Sequence, residues 1–342
     1  MVTAVLTAQS DPQAFTRKVL LEQFTTAQCG YCPAGAERLL SATDGLNNFV
    51  WIRYHAGFGT DDLTNEIAEA MTRFYGGGTF APAMMLDRSH FDQSRPGPVM
   101  SIGQVSDIRQ YVTQAKSVKT YCKVQAPEVD YDVATRTLVC TVTGRFSDEV
   151  YGDSTRLQVL FIEDSIYMSQ SDYGVGHYVN YCHLGVVRDT LTPLWGTAIE
   201  VSTDANHTFS HTFTYTIPDD YVYKNCKVVA VVYNYDPSDI NNCQVLNAAI
   251  SDHIDQYLGI GEMSEGLEVR LFPNPAQDLF VLESDSPVSR VTICDAMGRT
   301  FLSFPADKAR QASFDISSLS AGIYIVRIQT ESGFATRQLI VR

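Results

Sequence analysis

The sequence predicts an α/β domain followed by two all-β sandwich domains, and three observations carry that prediction. Between residues 17 and 118, strand-length apolar runs alternate with stretches of helical spacing. From Cys122 to about residue 256, the apolar residues recur with a period of two. After a short Gly- and Glu-bearing segment, brief strand-like runs resume, separated by Pro, Gly and Asp turns. A chain of 342 residues also exceeds one ordinary domain of about 100–150 residues, so more than one core is expected.

The elements follow in order. Met1 to Ala8 is small and apolar and then meets polar Gln9-Ser10-Asp11, so residues 1–16 are read as the remnant of a signal peptide and its leader. Lys18 to Phe24 is a buried strand. Pro33 to Leu40 is a helix, with proline in the first turn, where an N–H has no intrahelical partner anyway. Phe49 to His55 is a second strand. Asn65 to Phe74 places Ile67, Ala68, Met71 and Phe74 on one helical face, and Gly76-Gly77-Gly78 ends it. Pro82 to Asp87 opens a third strand, and Val105 to Val118 has the helical spacing of Ile108, Tyr111, Val112 and Ala115. The α/β domain is therefore bounded at 17–118.

Alternation then takes over at Thr137 to Thr143, Leu157 to Ile162, His207 to Phe213 and Lys227 to Tyr233, giving an antiparallel sandwich over 119–256. Residues 257–266 read as a linker. The segment 267–342 carries seven short strands: Glu268 to Phe272, Leu279 to Glu283, Val288 to Cys294, Arg299 to Phe304, Gln311 to Ile316, Gly322 to Gln329 and Ala335 to Val341.

Composition removes some functions. A formal net charge of −14 repels phosphate backbones, so nucleic acid is excluded as a partner. No run reaches the roughly 18 apolar residues of a membrane-spanning helix. The 8 cysteines fit an oxidising compartment.

The chemistry concentrates in Cys29-Gly30-Tyr31-Cys32. Two cysteines in this spacing serve either redox exchange or a metal, and zinc usually needs a second such pair, which this chain lacks. Cys29 lies just before a helix N-terminus, where free N–H groups and the helix dipole favour a thiolate. Cys32, one turn later, is within reach of a mixed disulfide and can resolve it. An inert structural disulfide at the helix head is the plainer alternative. Pro82 stands at the head of the third strand, in Thr79-Phe80-Ala81-Pro82.

With these residues in view, 17–118 resembles the thioredoxin superfamily, through Phe24, the Cys-Gly-Tyr-Cys segment, Pro33 and Pro82. The first domain is then a thioredoxin-like α/β fold, with Cys29, Cys32 and Pro82 as its catalytic residues and client thiols or disulfides as its partners. The resemblance also implies that the peptide bond before Pro82 is cis and that Pro82 faces the pair. The sequence departs from the superfamily pattern in two places. Gln28 stands where Trp is common. Gln23 stands where a buried Asp is common, and its neighbour Glu22 faces the opposite side of the strand.

Across 17–256, Leu20 to Thr26 with the following Cys-Gly-Tyr-Cys-Pro, Ile52 to Ala56, His177 to Leu184 and Tyr221 to Tyr233 resemble the 28-kDa outer-membrane-protein family. Leu271 to Ala276, Val291 to Arg299 and Leu319 to Arg327 resemble the C-terminal sorting domain of type IX secretion cargo. These resemblances imply export by the type IX machinery to the outer membrane, the cell surface or the medium. The function expected is thiol–disulfide exchange; its rival is a non-enzymatic surface binder or adhesin on the same scaffold.

Three weaker readings remain. No cofactor is expected, except that Cys32-Pro33 beside Tyr31 also suits haem ligation. His177, Cys182 and His183 with Asp172 could ligate a metal, though a polar loop explains them better. Cys122 with Cys140, and Cys226 with Cys243, could close structural disulfides.

Overall fold

A computed structural model describes residues 14–46, 48–76, 80–147, 151–204, 206–254, 269–294, 300–330 and 333–342. Residues 1–13 of the expected leader over 1–16, the glycines at 77 and 78, the linker over 257–266 and the turn at 295–299 lie outside them. The chain divides into two compact units, Met1–Asp255 and Gln256–Arg342.

In the first unit the chain runs β1 (Val19–Thr25), α1 (Cys32–Thr43), β2 (Phe49–His55), α2 (Glu66–Gly76), β3 (Ala83–Leu86), β4 (Met100–Ser101) and α3 (Val105–Ser117). It continues through β5 (Cys122–Val124), β6 (Glu128–Asp132), β7 (Thr137–Phe146), β8 (Thr155–Glu163), β9 (Ile166–Asp172), β10 (Gly176–His183) and β11 (Val186–Thr190). It ends with β12 (Thr197–Ala198), β13 (Thr208–Thr216), β14 (Cys226–Asn234) and β15 (Val245–Ile250).

The expected α/β thioredoxin-like N-terminal domain, standing apart from a following sandwich, is overturned by the strand order. One mixed nine-stranded sheet runs β15-β14-β8-β11-β2-β1-β3-β4, with β12 alongside β8. β2 bonds β1 on one edge, parallel, and β11 on the other, with Val186 opposite Arg53. The early strands and the later ones therefore share one hydrogen-bonded layer in a mostly β unit. Local periodicity located the three helices and many of the strands but carried no signal for this pairing between distant segments.

Alternation along β1 feeds two cores. Leu20 and Phe24 join Ile52 and Tyr54, the α2 residues Ala68, Met71 and Tyr75, and Leu160, Ile162, Val229 and Val231 from β8 and β14. Val19 and Leu21 join Leu39, Ile108 and Val112 of α1 and α3. The apolar residues of α1 and α3 recur at helical spacing, so each helix buries one face. A second sheet, β13-β7-β5 with β6 paired to β7, meets the opposite face of β8, where Tyr215 packs on Phe161 at 5.0 Å between ring centroids.

The suggested hairpin disulfides are absent. Cys122, Cys140, Cys182, Cys226 and Cys243 are free thiols. Cys140 lies opposite Val129 and Phe213, and Cys226 opposite Glu163, so the sheet register turns neither toward its supposed partner. Burial raises the Cys140 thiol to about 12, as expected for a small core residue.

A buried ion pair crosses the first core. Arg88 and Glu22 are both fully buried, with Nη2 of Arg88 donating to Oε1 of Glu22 at 2.9 Å. Nη2 of Arg88 also donates to Gln158 on β8 at 2.7 Å, and the Tyr54 hydroxyl donates to Glu22 at 3.1 Å. Asp87 and Arg88 hold φ of 49° and 50°, left-handed values that non-glycine residues seldom adopt. Asp87 is held there by Leu20 N–H on Oδ1 at 2.8 Å and by Arg17 on Oδ2 at 2.9 Å.

The second unit is a five-stranded sheet, β16 (Val269–Phe272), β17 (Leu279–Cys294), β18 (Thr300–Asp315), β19 (Gly322–Thr330) and β20 (Gly333–Val341). The expected segments Leu279 to Glu283 and Val288 to Cys294 fuse into β17, with the break between them surviving only as a register shift. Phe280, Leu282, Val291, Ile293, Val326 and Leu339 form its core.

Removing one partner of a buried pair strands the other charge, at a cost of about 3–5 kcal/mol. Arg88→Met or Glu22→Met alone should therefore lower the thermal midpoint sharply. The double variant should lose less than the sum, and circular dichroism melts of all three against wild type measure the difference.

Candidate functional site

The site begins where β1 stops. The chain leaves the sheet at Thr25, turns through residues 26–31 and enters α1 at Cys32, with Pro33 in its first turn. Within the turn, Cys29 N–H donates to Thr26 O and Cys32 N–H to Cys29 O, both at 3.1 Å. Cys29 and Cys32 are joined as a disulfide with their Cα atoms 5.4 Å apart. Both cysteines are nearly enclosed, at 3% and 2% exposure, while Tyr31 between them is 65% exposed.

Pro82 comes to the same place. The Ala81–Pro82 peptide is cis. A Cβ built on Gly35 would lie 2.9 Å from the Pro82 ring, so the start of β3 presses on the first turns of α1 and only glycine fits there. The structure thus brings Cys29, Cys32 and Pro82 to one end of the sheet.

Under the turn, the two faces of β1 carry different polar groups. Glu22 enters the core with Arg88, whereas Gln23 lies on the α1 side and accepts from Arg53 Nε at 3.0 Å. The position where the resemblance expects an acid is therefore occupied by a neutral amide beside a guanidinium. Gln28 donates from Nε2 to Thr60 O at 2.5 Å, tying the turn to the loop after β2.

That loop supplies Asp61, which accepts the Ala27 N–H at 2.6 Å on Oδ2 and the Leu63 N–H at 2.8 Å on Oδ1. Its Oδ2 also meets His55 Nδ1 at 2.8 Å. Burial alone would raise this carboxyl, but the His55 bond and the backbone donors prevail and bring it to about 2.

Sequence reasoning missed the element lying over this turn. β9 and β10 form a two-stranded antiparallel hairpin of their own. Ser171 N–H donates to Ala27 O at 2.8 Å and Tyr173 N–H to Gly30 O at 3.0 Å. Gln170 Nε2 reaches the carbonyls of Thr26, Ala27 and Cys29 at 3.2, 3.3 and 3.1 Å. The Tyr173 ring lies edge-on to Tyr31 at 4.6 Å and within 2.9 Å of where a Gly30 Cβ would sit. The only sequence sign of the hairpin is the tyrosine-rich stretch Tyr167 to Tyr181 around Gly174 and Gly176.

The candidate metal ligands do not converge. Asp172 turns back to cap Gly174 N–H at 2.6 Å, His177 is exposed, and His183 points inward, its ring 5.1 Å from that of His55. Among the described residues, no three His, Cys, Asp or Glu side chains are placed to hold a metal. Nε2 of His55 and of His183 are both buried without a partner among the described residues. Burial, reinforced by the neighbouring His55, lowers His183 to about 4.

Residues 81–253 match the family described as Outer membrane protein Omp28, and residues 270–342 match the secretion system C-terminal sorting domain. The chain belongs to the Omp28 family. With the type IX sorting domain behind the Omp28 region, it is an exported protein of the outer membrane or cell surface. Among the described residues, no helix is long and apolar enough to cross a membrane.

Among solved structures, HBP35 of Porphyromonas gingivalis is similar in fold, at 19% identity and a TM-score of 0.61, over 96% of this chain and 99% of that one. A domain of the outer membrane lipoprotein Omp28 from the same organism aligns at 18% identity and a TM-score of 0.25, over 39% of this chain and 88% of that one. No curated protein matches the sequence.

A histidine lowered from about 6.5 in the unfolded chain to about 4 adds stability that is complete above pH 6.5 and lost as pH falls through that interval. Thermal midpoints should therefore drop between pH 6.5 and 4 by the equivalent of about 3 kcal/mol. His183→Phe should flatten that part of the profile and leave the later loss through Asp61, between about pH 4 and 2.

Proposed function

We propose that this exported Omp28-family protein exchanges disulfides with client proteins through Cys29 and Cys32. The observation that carries the reading is their union as a disulfide across the head of α1, with the helix N-terminus at Cys32. A client thiolate attacks Cys29 Sγ, the Cys29–Cys32 bond breaks, and Cys32 leaves as a thiolate that takes a proton. A second client thiolate then attacks the client sulfur of the mixed disulfide. Cys29 is released as a thiolate, the client is oxidised, and the protein holds two reduced cysteines. Run in reverse, the same steps reduce or reshuffle a client disulfide. The N–H groups at the start of α1 stabilise the anion that each direction needs. Pro82, packed on α1 at Gly35, is assigned the β3-side wall of the client site. The second unit is proposed to engage the type IX secretion machinery.

The near-complete enclosure of both sulfurs favours a second reading, a surface binder in which the disulfide only staples the turn. A haem ligand at Cys32 belongs to that reading and requires the reduced thiol; a Soret shift on titrating haem into reduced protein would support it.

Insulin reduction by dithiothreitol separates the two. Wild type should accelerate the appearance of turbidity several-fold, and Cys29→Ser should run at the rate of buffer. Equal background rates for both proteins would leave the binder.

A further inference from the structure

We propose that Gln170, on the hairpin rather than in the cysteine segment, is the positioning residue that sets the reactivity of Cys29. The inference rests on the exchange chemistry proposed above and names what tunes it.

The turn before α1 faces an electrostatic conflict. The N–H groups at the helix head favour a thiolate, but the same turn carries the carbonyl oxygens of Thr26, Ala27, Cys29 and Gly30 within five residues of chain. Unpaired carbonyl dipoles beside a sulfur oppose its ionisation, and water has little access here because Thr26, Ala27, Cys29 and Gly30 are all buried.

The hairpin resolves this by donating to all four. Ser171 N–H takes Ala27 O and Tyr173 N–H takes Gly30 O. Gln170 Nε2, in a side chain only 2% exposed, is shared among Thr26, Ala27 and Cys29 of the turn and the neighbouring Ser171 O at 3.0 Å. A primary amide has two N–H bonds, so its positive end sits at the centre of the carbonyl cluster and draws those oxygens toward the hairpin. A Gln170 side chain withdrawn from that position would leave the Cys29 carbonyl with only the Cys32 N–H. The geometry also accounts for glycine at position 30, because the Tyr173 ring occupies the space that a side chain would need.

Two quantities separate positioning from mere covering. The pH midpoint of Cys29 alkylation reports thiol acidity, and the limiting rate at high pH reports access. With full-length reduced protein and iodoacetamide, followed by mass spectrometry of the Cys29 peptide, Gln170→Leu should raise the midpoint by about one pH unit. Gln170→Glu keeps the shape but places a carboxylate against the carbonyls, and it should raise the midpoint at least as far. Should Gln170→Leu fail to fold, Gln170→Glu carries the test alone. A higher limiting rate with an unchanged midpoint would make Gln170 a cover only and overturn the inference. A wild-type midpoint near the free-cysteine value of about 8.5 would overturn it together with the exchange reading. A depressed wild-type midpoint that rises in the variants, in a protein inert toward insulin, would keep the inference and remove the exchange reading.

Discussion

The first unit depends on one buried charge. Arg88 has no exposure, and its guanidinium reaches Glu22 from β1 and Gln158 from β8 while lying over the Tyr233 ring of β14 at 4.5 Å. An isolated charge in such a core is costly, so the guanidinium favours packings in which these partners are present together. They come from strands separated by more than a hundred residues. Through Gln158 and Tyr233 the Arg88 guanidinium thus favours closure of the early strands and the later ones as one body, in keeping with a nine-stranded sheet that has no boundary at residue 118.

That closure positions the candidate site. Because β11 docks beside β2, the hairpin inserted between β8 and β11 emerges at the same end of the sheet as the turn after β1. Its backbone and Gln170 then satisfy the carbonyls of that turn, while Asp61 and Gln28 tie the other side to the loop after β2. The cysteine pair is thus clamped between two loops that belong to different stretches of the sequence. A buried histidine pair, at the end of β2 and the end of β10, packs ring to ring at that joint.

Much of the site was legible, and for local reasons. Cys29, Cys32 and Pro33 lie within five residues, and the strand–turn–helix context of such a segment follows from apolar periodicity and the tolerance of proline in a first helical turn. The opposite facing of Glu22 and Gln23 follows from strand alternation alone. The hairpin was not legible, because its alternation is interrupted by a register shift between Tyr178 and Tyr181 and its residues bury polar atoms rather than apolar ones. Gln170 carries no motif, and its role exists only through carbonyls more than a hundred and forty residues away.

By itself the sequence determined the order and type of most elements, the cysteine pair at a helix head, the three sorting-domain motifs and so the exported fate of the chain. These follow from interactions within one element or one turn, whose energies are written in neighbouring residues. Tertiary structure alone decided that two expected domains share one sheet, that five cysteines remain free thiols, and that a distant glutamine holds the cysteine turn. Each of those outcomes depends on which strand edges meet, and backbone hydrogen bonding between edges is nearly indifferent to the side chains that a sequence displays.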